Sequence, residues 1–297
     1  MKVALYVNLT RENAYKVAID VINGLEQLGA EILMPEEFRK TFSFSCIEFL
    51  PSSDFIRLSD LLISIGGDGT IIHSAHRAAA FDKPILGINA GNLGFLAGLE
   101  KEELHLLKAL ISGEYTVDRR MMLSVKHYEG ERFIKEYICL NDVVVARGNS
   151  LRLCDVEAIS GGKRIFDYQA DGLIVATPTG STAYSLSAGG PVVDTAIESL
   201  ILTPICNHSL FSRSMIFRAD SVIELKVKNP AISLPLFSCD GEKGVSMKEN
   251  SRLLITQSEK YAKIIRIKSD SFADILSHKL IERYAHDRGG KYEKEQT

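Results

Sequence analysis

Leu61-Leu62-Ile63-Ser64-Ile65-Gly66-Gly67-Asp68-Gly69-Thr70 leads directly into Ile71-Ile72-His73-Ser74-Ala75-His76-Arg77-Ala78-Ala79-Ala80, and the reading of this stretch decides the fold. An apolar run of strand length, a glycine-rich turn and a segment of helix formers follow one another without a spacer. That order is the strand–turn–helix start of an α/β unit. Glycines let the backbone take positive φ and bring main-chain N–H groups close to a ligand. The first amides of a helix, with its dipole, favour a phosphate. Asp68 is then an unusual residue for the spot, because a carboxylate repels a phosphate. It makes sense where it meets a metal carried on phosphates, or takes the proton of a reacting hydroxyl. The alternative for this stretch alone is a tight turn whose amides Asp68 satisfies.

Working outward, residues 2–8 form an apolar first strand. Thr10 is a plausible N-cap for a helix reaching about Gly29, with Ala14, Val17, Ala18, Val21, Ile22, Leu25 and Leu28 at helical spacing. Residues 31–34 form a second strand, and residues 35–54 carry no clear pattern. Downstream, residues 84–88 are a short apolar strand ending in the small-residue stretch Gly87 to Gly94. Residues 100–111 read as a helix with Gly113 just beyond. This alternation predicts a Rossmann-like parallel α/β domain up to about residue 118.

From Tyr115 the texture changes to short apolar runs and frequent turn signals, among them Glu129-Gly130, Gly161-Gly162, Asn229-Pro230 and Asp240-Gly241. Strands are predicted at 121–128, 133–140, 143–146, 151–159, 163–168, 172–176, 215–218, 222–227, 234–239, 251–257 and 262–267. That density reads as an antiparallel β domain, interrupted by one helix around 183–194. Residues 272–284 have helical spacing again and are expected to return to the first domain, before a charged tail over 287–297. The expected domains are therefore 1–118 with 268–297, and 119–267.

A formal net charge of −3 over 297 residues argues against a general nucleic-acid or anionic-membrane binder. No apolar run approaches the roughly 18 residues of a membrane helix. The opening residues suit a strand rather than a secretory signal. Five widely spaced cysteines without a Cys-x-x-Cys pair suggest reduced thiols, a cytoplasmic setting and no structural zinc.

Three further stretches carry candidate chemistry, and one of them, Gly87 to Gly94, is expected to be a loop bordering the same cleft. Asn141-Asp142 places adjacent polar side chains between apolar strand segments, so one faces inward unless a turn or a ligand accounts for both. From Asp171 to Gly190 an apolar strand runs into a loop dense in hydroxyls and glycine, then a helix start. Hydroxyls and free amides of this kind hold ribose and phosphates, or serve as a helix cap. The Walker loop, the Gly-x-Gly-x-x-Gly fingerprint, the His-Arg-Asp loop and the Gly-x-Ser-x-Gly elbow are all missing. His73 and His76 share a helix face, without a nearby third metal ligand in sequence.

Taken together, Gly66-Gly67-Asp68-Gly69-Thr70, Asn141-Asp142, and Asp171-Gly172 through Thr182-Ala183-Tyr184-Ser185-Leu186-Ser187-Ala188-Gly189-Gly190-Pro191 resemble the bacterial NAD kinases, in that family's order, over about residues 60–242. The glycine–aspartate loop alone is shared with lipid kinases and is similar to the phosphofructokinase loop. The combination is far more specific. The resemblance implies ATP-dependent phosphorylation of the adenosine-ribose 2′-hydroxyl of NAD, giving NADP. It implies a divalent metal, usually magnesium, a homo-oligomer, commonly a tetramer, and an α/β domain followed by a β-rich one with a last helix returning. By motif, Asp68 would be the catalytic base, Gly69 its neighbour in the phosphate loop and His73 a nucleotide contact. Asn141 and Asp142 would hold the dinucleotide, and Arg152 matches a basic binding position. Asp171 and the run Thr182, Ala183, Tyr184, Ser185, Leu186 and Ser187 would line the adenosine pocket. Gln169 and Glu242 stand where the family often has a basic residue and Gln, so these two binding positions depart from the pattern. The competing readings are a kinase of a lipid or sugar phosphate, and a non-catalytic dinucleotide sensor. The first leaves the later motifs unexplained, and the second leaves the acid in the loop without a use.

Overall fold

The computed structural model describes residues 1–11, 13–91, 94–208, 213–230 and 235–277. The chain divides into two compact units, Met1–Asp118 with Lys263–Thr297, and Arg119–Ala262. The sequence reading placed the end of the second at 267.

In the first unit the elements are β1 (Lys2–Val7), α1 (Ala14–Gln27), β2 (Glu31–Pro35), β3 (Ile47–Leu50), β4 (Leu61–Gly66), α2 (Asp68–Ala80), β5 (Pro84–Asn89), β6 (Leu99–Glu100) and α3 (Lys108–Ser112). The strands lie in the order β5-β4-β1-β2-β3, all parallel. β6 pairs with β5, and Lys263 and Ile264 also run parallel to its start. Val3, Leu5 and Val7 of β1 and Ile63 and Ile65 of β4 pack with Val17, Val21 and Leu25 of α1 in one core. Strand order reverses between β1 and β4: β2 and β3 lie to one side, β5 to the other. In an open parallel sheet the crevice beyond the carboxyl ends of such a pair is where ligands sit.

Three local expectations change. Helix α1 starts at Ala14, not after Thr10, because the Thr10 hydroxyl donates to Asn8 Oδ1 at 2.7 Å inside the preceding turn. The unassigned 35–54 region contains β3, which pairs with β2 rather than showing a periodicity of its own. The helix expected over 100–111 is 3₁₀ from Lys101 to Leu107 and α only afterwards, with a Glu100/Glu103 capping box at its start and left-handed Gly113 (φ 76°) at its end.

The second unit is antiparallel. Its elements are β7 (Thr116–Glu129, entering from the first unit), β8 (Arg132–Cys139), β9 (Asp142–Ala146), β10 (Cys154–Ser160), β11 (Lys163–Ala170), β12 (Gly172–Ala176), α4 (Tyr184–Ser187), β13 (Ser199–Ile205), β14 (Met215–Arg218), β15 (Ile223–Val227), β16 (Leu236–Cys239), β17 (Val245–Ser246) and β18 (Ser251–Arg266, leaving the unit at Lys263). β11-β10-β15-β18 form one ladder and β14-β13-β12-β9-β16-β17 another, with β7 paired to β8. A single core takes Val156, Ala158, Leu225 and Leu253 from the first ladder and Val143, Val145, Leu173 and Val175 from the second.

Here too the sequence expectation is corrected. β18 is one strand where two were expected. β13, buried along its whole length, was missed, since its short run Leu200-Ile201-Leu202 does not alternate and Pro204 argues against a strand. The helix expected over 183–194 shrinks to a 3₁₀ turn at Thr179–Thr182 and the four residues of α4, ended by left-handed Gly189 (φ 83°). Residues 272–277 are helical, while 278–284 and the tail over 287–297 lie outside the described residues, as does Leu234 of the strand expected over 234–239. Among the described residues no helix is long and apolar enough to cross a membrane.

Candidate functional site

The loop after β4 is built by its neighbours. β4 is buried throughout and delivers Gly66 at its carboxyl end, and Gly67 then caps α2 in extended backbone, without a side-chain cap. A Cβ on Gly66 would lie 2.5 Å from the Thr70 hydroxyl, so only glycine fits. Thr70 Oγ1 in turn accepts from Asn8 Nδ2 at 2.8 Å, and the Asn8 amide donates to the Ile65 carbonyl at 3.0 Å. Asn8 follows β1, so the two strands flanking the order reversal are tied together at their carboxyl ends.

Asp68 opens α2 and is half-buried. Its Oδ2 accepts from the Phe95 amide at 2.7 Å and its Oδ1 from the Leu96 amide at 3.1 Å. A side-chain carbon on Gly94 would overlap that carboxylate. The Ala90 amide donates to the Gly66 carbonyl at 3.2 Å. The stretch from Gly87 to Gly94 therefore borders the same loop, with Asn92 and Leu93 outside the described residues. Gly69 is exposed, and His73 is exposed further along α2. The arrangement is a fixed carboxylate at a helix start, each oxygen retaining a lone pair.

In the second unit Asn141 and Asp142 stand at the start of β9. The Asp240 carboxylate accepts from the amides of Leu140 (2.6 Å), Asn141 (2.8 Å) and Asp142 (2.9 Å), and the Asp240 amide donates to the Asp142 carbonyl at 2.9 Å. Opposite them, the Thr177 hydroxyl donates to the Leu140 carbonyl at 2.6 Å and the Thr177 amide to the Asn141 carbonyl at 2.8 Å. A side chain on Gly180 would overlap that Asn141 carbonyl. Asn141 Oδ1 is buried without a hydrogen-bond partner, an acceptor left open. The Asp142 carboxyl, 5% exposed, is pushed up to about 7, first by burial and then by the charge of Asp240.

The hydroxyl-dense segment turns largely inward, because β12 is buried along its whole length and carries its loop with it. Ser181 Oγ donates to the Pro178 carbonyl at 2.6 Å and accepts from the Val193 amide at 3.1 Å. Thr182 Oγ1 donates to the Thr179 carbonyl at 3.2 Å, and Ser185 Oγ pairs with Thr203 Oγ1 at 3.1 Å. Thr182 and Ser185 are thus buried and internally bonded. Tyr184 and Ser187 are exposed, with Ala183 and Leu186 half-buried between them.

The remaining candidates lie elsewhere in this unit. Asp142 pairs in register with Ala176, whereas Ala146 pairs with Gly172. Asn141 and Asp142 therefore occupy one end of the β9–β12 pair and Asp171 the other, five residues along the strand from the Asp142 register, about 17 Å at a strand rise of ~3.3 Å per residue. Asp171 Oδ1 accepts from Arg147 Nε at 2.6 Å, and Arg147 also donates to the Ser150 carbonyl. Arg152 and Gln169 are exposed, the latter two residues before Asp171. Glu242 is exposed beside Asp240, its amide donating to the Cys239 carbonyl at 2.9 Å.

Sequence reasoning missed Asn8, the Phe95 and Leu96 amides, Arg147 and Asp240. Asp240-Gly241 was read only as a turn, since nothing local announces a partner about a hundred residues upstream. Among the described residues no cluster of three His, Cys, Asp or Glu side chains is placed to hold a metal.

The chain matches the ATP-NAD kinase N-terminal domain over residues 3–115 and the ATP-NAD kinase C-terminal domain over residues 140–267. It is 37% identical over 284 residues to an NAD kinase of Thermoanaerobacter pseudethanolicus, covering 95% of this chain and 99% of that one. It is 38% identical over 231 residues to an NAD kinase of Natranaerobius thermophilus, covering 77% and 80%. Among solved structures, an NAD kinase from Archaeoglobus fulgidus in complex with ATP aligns with TM-score 0.68 at 25% identity, over 93% of this chain and 99% of that one. Yeast NADH kinase complexed with NADH shares the fold at TM-score 0.85 and 23% identity, over 100% and 90%.

Proposed function

The chain belongs to the ATP-NAD kinase family, enzymes that phosphorylate NAD with ATP, and from that premise we propose that its acceptor is the adenosine-ribose 2′-hydroxyl, its product NADP and its base Asp68. The observation that carries the reading is the Asp68 carboxylate, fixed by two backbone amides at the start of α2 beyond the strand-order reversal. Phosphoryl transfer needs alignment and charge neutralisation more than covalent chemistry from the protein. The glycine loop and the first amides of α2 supply partial positive charge to the triphosphate. As the hydroxyl oxygen bonds to the γ-phosphorus and ADP leaves, the hydroxyl proton passes to Asp68.

Asn141 presents an open acceptor to a donor on the dinucleotide, and Asp142 keeps β9 at that end. Tyr184, Ala183 and Leu186 offer apolar surface to the adenosine, with His73 and Gly69 at the phosphates. Thr182, Ser185 and Ser187 shape the segment. Arg152, Gln169, Asp171 and Glu242 are nucleotide contacts whose place in the fold separates the first three from Asn141. A divalent ion, magnesium by preference, comes with the phosphates: such an ion is held by one or two carboxylates plus phosphate oxygens, and Asp68 is a carboxylate of that kind. Held there, such an ion would neutralise charge developing on the transferred group. We also assign a homo-oligomer and a cytoplasmic setting, in keeping with the family and with five free cysteines.

The test is a coupled assay: purified protein, NAD, ATP and magnesium, with NADP read by an NADP-specific dehydrogenase. NADP must accumulate with time and protein. No NADP, with turnover of diacylglycerol or fructose phosphate instead, would replace this reading.

A further inference from the structure

We propose that Asp240 is a positioning residue for dinucleotide binding, acting through Asn141. Three consecutive amides, those of Leu140, Asn141 and Asp142, converge on one point, a backbone concavity of the sort that takes anions. The anion filling it is the Asp240 carboxylate. The tie is made from a turn built for it. Asp240 (φ 48°) and Gly241 (φ 74°) are both left-handed, and the Glu242 amide closes on the Cys239 carbonyl at 2.9 Å, the geometry of a type I′ hairpin turn. A non-glycine residue in that region is strained unless its surroundings hold it. Here four hydrogen bonds do, three to the carboxylate and one from its own amide.

Leu140 and Asn141 are thereby gripped on both sides, their amides by Asp240 and their carbonyls by Thr177. Between the grips projects the Asn141 side chain, with its buried, unpartnered Oδ1. The structure holds an acceptor still and leaves it unused, which is the construction of a preorganised contact.

The inference rests on the NAD-binding role of Asn141, so the experiment separates the two. Asp240→Asn, Asp240→Ala and Asn141→Ala are made in the full chain, and initial rates are measured with NAD and ATP varied in turn. Asn tolerates the left-handed backbone and keeps one acceptor oxygen, so Asp240→Asn tests the amide ties without dismantling the turn. Losing a charge-assisted tie at a preorganised contact predicts a rise in KM for NAD of about 10-fold or more, larger in Asp240→Ala, with kcat and KM for ATP within ~3-fold of wild type. A folded Asp240→Asn with unchanged KM for NAD overturns the proposal. So does a variant in which KM for ATP and kcat move as far as KM for NAD. If both Asp240 variants fail to fold, Asp240→Glu, which keeps the charge but displaces it from the three amides, takes their place, and an unchanged KM for NAD there overturns the proposal equally. If Asn141→Ala itself leaves KM for NAD unchanged, the site reading falls. If Asn141→Ala raises it and Asp240→Asn does not, only this inference falls.

Discussion

Replacing Asp142 with Asn should stabilise the protein by an amount that grows from about pH 4 to about pH 7 and stays constant above. Asp142 is 5% exposed, beside a second carboxylate, and its pKa is raised from 3.8 to about 7. The folded protein therefore holds a proton on this group that the unfolded chain has released over the window from about pH 4 to about pH 7. Stability from this group is complete below the unfolded value and is lost as pH rises through the folded one. In that window wild type should lose about 1.4 kcal/mol per pH unit relative to a neutral isostere, or about 4 kcal/mol in all by pH 8. Relaxation around a real carboxylate trims that figure, so we expect about 2 kcal/mol, or a Tm gain of roughly 4–8 °C. The assay is thermal or urea unfolding of wild type and Asp142→Asn at pH 4.5, 6 and 8. Other titrating groups cancel in the difference. A difference that stays flat across the series, or that falls as pH rises, refutes the reasoning, since nothing else in the substitution changes charge.

Asp68→Asn should keep fold and NAD affinity while kcat drops by ~10²–10⁴, the usual contribution of a positioned base, and a rate near wild type removes Asp68 from that role. Gly94→Ala should place a methyl group on the Asp68 carboxylate and lower kcat by about 10-fold or more, with a smaller effect on Tm; full activity would show that the Asp68 position is not critical. His127 is buried with both ring nitrogens unpartnered, packed edge-on to Phe237, and burial lowers its pKa. Its neutral form contributes stability above the ordinary value near 6.5, lost as pH falls below it, so wild type should lose more Tm between pH 7.5 and 5 than His127→Phe does; equal losses would refute this.

How much of this was legible in sequence depended on how local the cause was. The strand–glycine–helix order at 61–80 is a local property, because apolar runs, glycine freedom and helix formers act on their own neighbourhood. It sufficed for a parallel α/β unit and for singling out Asp68. The switch from long periodic segments to short runs with turn pairs likewise sufficed for the antiparallel unit. Helix limits near Thr10 and Ala183 were misjudged, since capping there competes with turn bonds from Asn8 and with glycine and proline downstream. Strand β13 carried no alternation to read.

By itself, then, the sequence determined the class of each unit and their chain order, and it singled out Asp68 as the candidate acid, all consequences of patterns within twenty residues or so. Only the tertiary structure decided which groups meet. It bound Asp68 to the Phe95 and Leu96 amides, turned Thr182 and Ser185 inward, and set Asp171 against Arg147 at the strand end far from Asn141. It also brought Asp240 onto amides about a hundred residues away. Register and strand order choose such partners, and both are set by the packing of whole sheets, in which each residue's neighbours across the ladder are remote in the chain.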